Sequence, residues 1–266
     1  MSAVDIAAVA TFIRDVAQEH VLPRFERLAA ADIQLKGQGD LVTVADLEAE
    51  KALTPLLSAL LPGSLVVGEE TAAKDSSVFD RLADDGPVWL VDPVDGTSNF
   101  AAGIPLFAVM VALLQGGEPV AAWIYDPVKD AMATAERGSG AWLGGTRLHV
   151  AVEDSPDRMS GAMSHRFGNR QLVRKIAGRS NLVGSVFSFR CAGQEYLALA
   201  AGRAHFALYH RLLPWDHAPG VLIHREAGGY GRQLDGSPYS PRQHAGGLLL
   251  TPDEASWTAL RTVLMG

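Results

Sequence analysis

One stretch constrains this chain more than any other: Val88-Trp89-Leu90-Val91-Asp92-Pro93-Val94-Asp95-Gly96-Thr97-Ser98-Asn99-Phe100. Four apolar residues in a row predict a buried strand. The run ends abruptly in two acids that flank Pro93. Asp-Pro-x-Asp-Gly alone is a good turn sequence. The same letters set Asp92 and Asp95 three apart, so both side chains can face one side with the Val94 carbonyl between them. Gly96-Thr97-Ser98 then reads as the start of a short helix, where unsatisfied N–H groups and the positive end of the dipole suit a phosphate.

Two further acids hold comparable places. Glu69 follows the apolar strand Ser64 to Val67, and Asp216 precedes an apolar helical run. Singly each has a plain reading: Gly68-Glu69-Glu70 a surface turn, Asp216 a helix N-cap with Pro219 in the tolerant first turn, and Thr43-x-x-Asp46 a helix-start signal. Jointly they say more. Carboxylates crowded at one point repel and raise each other's pKa. A hard divalent cation such as Mg²⁺ or Mn²⁺ removes the conflict. Carboxylates for metal, beside amides for phosphate, are the parts of metal-assisted phosphate ester hydrolysis.

The remainder of the 266 residues frames this cluster. The length predicts one large domain or two compact ones, and 48% hydrophobic residues can bury a sizeable core. A formal net charge of -7 argues against a broad basic face for nucleic acid or anionic lipid and leaves room for a local basic pocket. The lone Cys191 forms no internal disulfide and reads as a small buried hydrophobe. No stretch reaches the roughly 18 apolar residues of a membrane helix, and the N-terminus lacks a basic signal region, so the expected location is cytoplasmic.

Spacing predicts helices over 2–30, 46–61, 169–178, 192–202, 216–227 and 253–264. Pro23 would kink or end the first, and 31–40 reads as a loop. A meander of strands covers 105–150, and strands are expected near 181–187, 204–209 and 247–251. Trp89, Trp123 and Trp142 are expected in the core, and His205, His217, His224 and His244 as structural or surface residues.

These blocks resemble the inositol monophosphatase family, Mg²⁺-dependent and lithium-sensitive phosphomonoesterases. The resemblance runs through Lys36…Asp40-Leu-Val-Thr43-x-x-Asp46, Val67-Gly68-Glu69-Glu70, the Asp92–Phe100 block, and Pro214-Trp215-Asp216 with Glu226-Ala-Gly228-Gly229. It implies an α/β (α+β) fold, a layered αβαβα sandwich. A first half, 1–135, would carry most metal and phosphate ligands. A second, 136–266, would carry Asp216 and the segments that set specificity, with the site between them and a homodimer as the assembly. Glu69, Asp92 and the Val94 carbonyl would hold one ion. Asp92, Asp95 and Asp216 would hold a second, and Glu69 would share in a third, weaker one. Thr97, oriented by Asp46, would position and help deprotonate the attacking water. Gly96, Thr97 and Ser98 amides would bind phosphate, with Glu70 and Lys36 behind the ligands.

Substrate choice is less legible. In the family a glutamate lies seven residues before the Trp-Asp aspartate; here that position is Tyr209. A small-residue stretch on the sugar side becomes Phe189-Arg190-Cys191-Ala192-Gly193, making Arg190 and Ala192 candidate substrate contacts. His210 and Arg211 would flank that pocket, and His165-Arg166 its entrance. Candidate substrates are inositol monophosphate, histidinol phosphate, fructose 1,6-bisphosphate and a 3′-phosphoadenosine nucleotide. Histidinol phosphate would want an acidic contact for its amine; the bisphosphates would want a cation such as Arg190. The alternative of another class is a regulatory protein that keeps the metal or sugar-phosphate site without turnover.

Overall fold

A computed structural model describes residues 4–36, 40–164 and 168–266. Helix α1 (Ile6–Val16) buries Val9, Ile13 and Val16 and ends in π and 3₁₀ turns, the second containing Pro23. Strands β1 (Ile33–Leu35) and β2 (Leu41–Thr43) pair antiparallel, which corrects the expected loop over 31–40. The Gly-rich letters that dominated that reading, 37–39, lie outside the described residues; the flanking apolar letters pair. Helix α2 (Val44–Leu60) opens on a capping box made by Thr43 and Asp46.

Strand β3 (Leu65–Gly68) leads into helix α3 (Glu69–Lys74). Strand β4 (Pro87–Asp95) runs parallel to β3 and leads into the short helix α4 (Thr97–Ala101). The meander follows as β5 (Ala108–Gln115), β6 (Glu118–Asp126), β7 (Ala131–Glu136), β8 (Gly140–Leu143) and β9 (Thr146–Arg147). These seven strands, β3 to β9, form one sheet in chain order.

The rest alternates: β10 (Ser160–Met163), α5 (Arg170–Ala177), β11 (Ser185–Phe187), α6 (Ala192–Ala200), β12 (Phe206–Arg211), α7 (Pro214–Glu226), β13 (Tyr230–Gln233), β14 (Ala245–Thr251) and α8 (Glu254–Met265). Its sheet has the order β11-β10-β12-β14-β13. β10 and β13 were not foreseen. Ser160-Gly161-Ala162-Met163 is a weak strand sequence, but a Cβ on Gly161 would sit 2.3 Å from the Phe206 carbonyl oxygen, so its neighbour β12 leaves room for glycine alone.

Side-chain alternation along β4 separates the layers. Trp89 and Val91 pack with Trp123 against α1 and α2. Val88 and Leu90 face the opposite way, where α6 and α7 fill the space up to Ala207, Leu248 and Leu250 of the second sheet. Met163, Phe206 and Leu249 on the far side of that sheet meet Ile176 of α5 and Trp257 and Leu260 of α8. The stack is therefore helix, sheet, helix, sheet, helix. Trp142 departs from expectation: it is 39% exposed on β8, with the Arg147 guanidinium 5.8 Å from its ring centroid. Among the described residues no helix is long and apolar enough to cross a membrane.

Candidate active site

The acids gather where the first sheet meets the middle helices. Glu69 opens α3, whose free N–H groups are capped from α2. The Glu50 carboxylate accepts from Glu70 N (2.7 Å), Thr71 N (2.9 Å) and Thr71 Oγ1 (2.5 Å). Gly68 permits that approach, since a Cβ there would lie 2.3 Å from the Glu50 carboxyl carbon. Asp92 and Asp95 do not end a strand at a turn, as the sequence suggested. β4 continues through both, with its register against β5 shifting between them. Such irregularities re-aim side chains beside active sites. Asp216 lies in the first turn of α7 and is not its cap: the helix starts two residues earlier, because Pro214 suits the first helical position. Pro219 accordingly falls inside the helix.

Carboxylate oxygens of Glu69, Asp92 and Asp216 lie within 4.8 Å of one another. Asp95 stands slightly apart, its Oδ2 held by Gly193 N at 2.6 Å and the Cys191 thiol at 2.9 Å at the start of α6. Cys191 is thus buried as expected, and also a donor to an active-site acid. A cavity of about 90 Å³ is lined by Glu69, Asp92, Val94, Asp95 and Asp216, by Gly96, Thr97 and Ser98, and by Lys36.

Burial raises the carboxyls of Asp92 and Asp216 well above their ordinary range, and the Glu69 charge raises them further. Asp95 is also raised by burial, against the pull of Cys191 and the α6 amides. Burial and Glu69 push Glu70 up to about 8. Lys36 answers part of this charge, reaching Glu69 at 2.5 Å and Glu70 at 2.6 Å. Burial works to lower its own pKa, but the two carboxylates overcome that and hold it raised. One ammonium does not balance so many acids. A buried set of hard oxygen donors fits a divalent cation of the Mg²⁺ or Mn²⁺ type.

Asp46 serves the helix and the site at once. Its Oδ2 accepts from Thr43 N (2.9 Å) and Thr43 Oγ1 (2.5 Å). Its Oδ1 faces Thr97 Oγ1 at 3.2 Å, while the Val94 carbonyl lies 2.9 Å from the same hydroxyl. Burial lifts Asp46 to about 6. Gly96 precedes α4 with φ +87°, and a Cβ there would meet the Leu106 carbonyl at 2.9 Å. Asn99 and Phe100 N–H groups return to Gly96 O. Those of Thr97 and Ser98 lie in the first turn, where a helix offers no acceptor. Asn99 then binds the Leu106 and Phe189 carbonyls through Nδ2, at 2.7 and 2.8 Å.

A second cavity, of about 140 Å³, adjoins the first and shares Asp95, Arg190, Arg211 and Asp216 with it. The candidate contacts Arg190, Ala192 and Tyr209 all line it, as do His210 and Arg211. Arg190 is exposed, with φ +55°. Tyr209 is buried, its ring stacked on Tyr196 at 5.4 Å. Arg211 pairs with Asp40 at 2.7 Å. Sequence reasoning missed Glu195, a buried carboxylate on the cavity wall that burial pushes up to about 7. The available signal was an acid at the head of the apolar run Tyr196-Leu-Ala-Leu-Ala. It missed Glu50 as well. His165 and Arg166 lie outside the described residues.

Of the histidines, His205 Nδ1 accepts from Ser160 N at 3.0 Å, and His244 packs on Phe79. His217 sits between the Tyr196 hydroxyl and the Arg211 carbonyl, and burial lowers it to about 4. Burial lowers His224 to about 3.

The profile described as "Inositol monophosphatase family" matches residues 2–261. An inositol-1-monophosphatase of Mesorhizobium japonicum is 37% identical over 216 residues, 80% of this chain and 79% of its own. The Nus factor SuhB of Escherichia coli is 33% identical over 216 residues, 79% of this chain and 78% of its own. Among solved structures, the extragenic suppressor protein SuhB of Bartonella henselae superposes with a TM-score of 0.80 at 30% identity, covering 97% of this chain and 96% of that one. An IMPase of Thermotoga maritima gives 0.82 at 23% identity, covering 96% and 94%, and speaks for the fold alone.

Proposed function

The chain belongs to the inositol monophosphatase family, and from that membership we propose that this phosphatase is a Mg²⁺-dependent monoesterase for a small phosphorylated metabolite. The observation that carries the reading is the convergence of Glu69, Asp92 and Asp216 within 4.8 Å, beside the first-turn amides of α4.

Glu69, Asp92 and the Val94 carbonyl would hold one ion, and Asp92, Asp95 and Asp216 a second. Bound there, the cations would neutralise phosphate oxygens and make a nearby water more acidic. The chain's own groups do the rest. Amides of Gly96, Thr97 and Ser98 receive the phosphate and fix its orientation. The Thr97 hydroxyl, when it donates to Asp46, turns a lone pair toward the cavity and can accept a proton from the attacking water, passing its own to Asp46 Oδ1. Asp46, lifted by burial to about 6, is poised near neutrality for that task. Lys36 keeps Glu69 and Glu70 from repelling the ester.

A non-catalytic role draws support from the relatives named Nus factor SuhB. The intact Asp46–Thr97 contact favours turnover, since a binding protein has no use for a base.

Phosphate release from inositol 1-phosphate, histidinol phosphate, fructose 1,6-bisphosphate and 3′-phosphoadenosine 5′-phosphate, with and without Mg²⁺, tests the reading. Asp95→Asn and Asp216→Asn should each lower turnover by about 10²-fold or more while the circular dichroism spectrum stays unchanged. Wild-type rates in both variants at saturating Mg²⁺ would refute it.

A further inference from the structure

The larger cavity runs from the carboxylate cluster to Glu195. This residue follows closely on Gly193, whose N–H holds Asp95, and its own N–H bonds back to Cys191 O at 3.2 Å. One turn of α6 therefore fixes both an active-site acid and the wall of the adjoining space. The Glu195 residue is 4% exposed. Its Oε1 accepts from Phe189 N at 2.8 Å and from Ser188 Oγ at 3.2 Å, the Tyr209 hydroxyl also faces the carboxylate, and none of these donors carries charge. Among the described residues no Lys, Arg or His forms an ion pair with it. Of the cations on the same cavity, Arg211 is engaged by Asp40, and Arg190 is exposed to solvent. The His217 ring is taken up by Tyr196 and the Arg211 carbonyl.

A carboxylate buried without a counter-charge is costly unless something supplies one. The cavity is the side from which it can come. An anion placed there would face Glu195 in a medium of low dielectric and be repelled, so the same group that attracts one ligand class rejects another. We propose that Glu195 selects the leaving group, and that the cavity takes a small phosphate ester whose alcohol carries a protonated amine. This deepens the hydrolase reading and rests on it. The phosphate sits at the α4 amides, the alcohol extends into the space beside Asp95, and its ammonium group donates to Glu195.

Glu195→Gln tests this with little change of volume, because the amide oxygen can still accept from Phe189 N and Ser188 Oγ. Phosphate release is followed with Mg²⁺ on O-phosphoethanolamine and L-histidinol phosphate, and on glycerol 2-phosphate and fructose 1,6-bisphosphate. The wild-type enzyme should favour the amine esters in kcat/KM by about tenfold or more. In Glu195→Gln that preference should vanish through a raised KM, with glycerol 2-phosphate within about twofold of wild type. An equal loss on all four esters would make Glu195 a structural residue and overturn the proposal. So would a wild-type preference for the bisphosphate, and either result would leave the hydrolase standing. No release from any ester by the wild type would overturn the hydrolase reading and this inference with it.

Discussion

The Thr97 hydroxyl has one hydrogen and two acceptors, Asp46 Oδ1 and the Val94 carbonyl. Asp46 in turn spends its other oxygen on the start of α2. Single residues here carry both fold and chemistry, and His224 shows the cost of burial at this scale. Burial lowers it to about 3, from an ordinary imidazole value of 6.5. Between those values the unfolded chain binds the extra proton, so stability is full above about pH 6.5 and falls as the pH drops, by roughly 1.4 kcal/mol per unit. Urea unfolding at pH 7 and 5.5 should show wild type losing about 1 kcal/mol more than His224→Leu; equal losses would disprove it. The acids that the structure gathers stood out in the sequence because each follows an apolar run or lies near a helix start. Glu195 and the exposure of Trp142 did not, since how deeply each is buried depends on how the layers stack, which the neighbouring letters do not spell out.

Helices α6 and α7 meet at Gly220. A Cβ there would lie 2.1 to 2.4 Å from Tyr196 ring atoms, closer than any real contact. Asp216 rides on α7, and the Gly193 N–H that holds Asp95 belongs to α6. Gly220→Ala should force the two helices apart, lowering stability by about 1–3 kcal/mol and turnover with it. Thermal unfolding and phosphate release check this, and an unchanged melt would show that the packing has slack. Long amphipathic or capped elements such as α2 and α8 announced themselves by periodicity and caps. The hairpin of β1 and β2, and strands β10 and β13, did not. Three or four residues hold too little pattern, and their strand character comes from the neighbour they pair with.

At the scale of the whole molecule, Glu69, Asp92 and Asp216 arrive from three different elements. An ion held by all three exists only in the folded chain. Mg²⁺ at a hundred times its dissociation constant should therefore add about 2.7 kcal/mol to stability. Melting with Mg²⁺ and with EDTA measures it: the difference should be large in wild type and small in Asp216→Asn, and equal differences would remove Asp216 from the ligands. The layered stack was foreseen from the family resemblance more than from the strand pattern, since two of the five strands of the second sheet are nearly silent in sequence. Asn99 joins the parts, one carboxamide stapling the Leu106 carbonyl to that of Phe189. The staple fastens the anion cradle to the rim of the neighbouring chamber, yet touches neither Glu195 nor Tyr209. Such a chassis lets the chamber be refurnished for new esters while the hydrolytic machinery stays bolted in place.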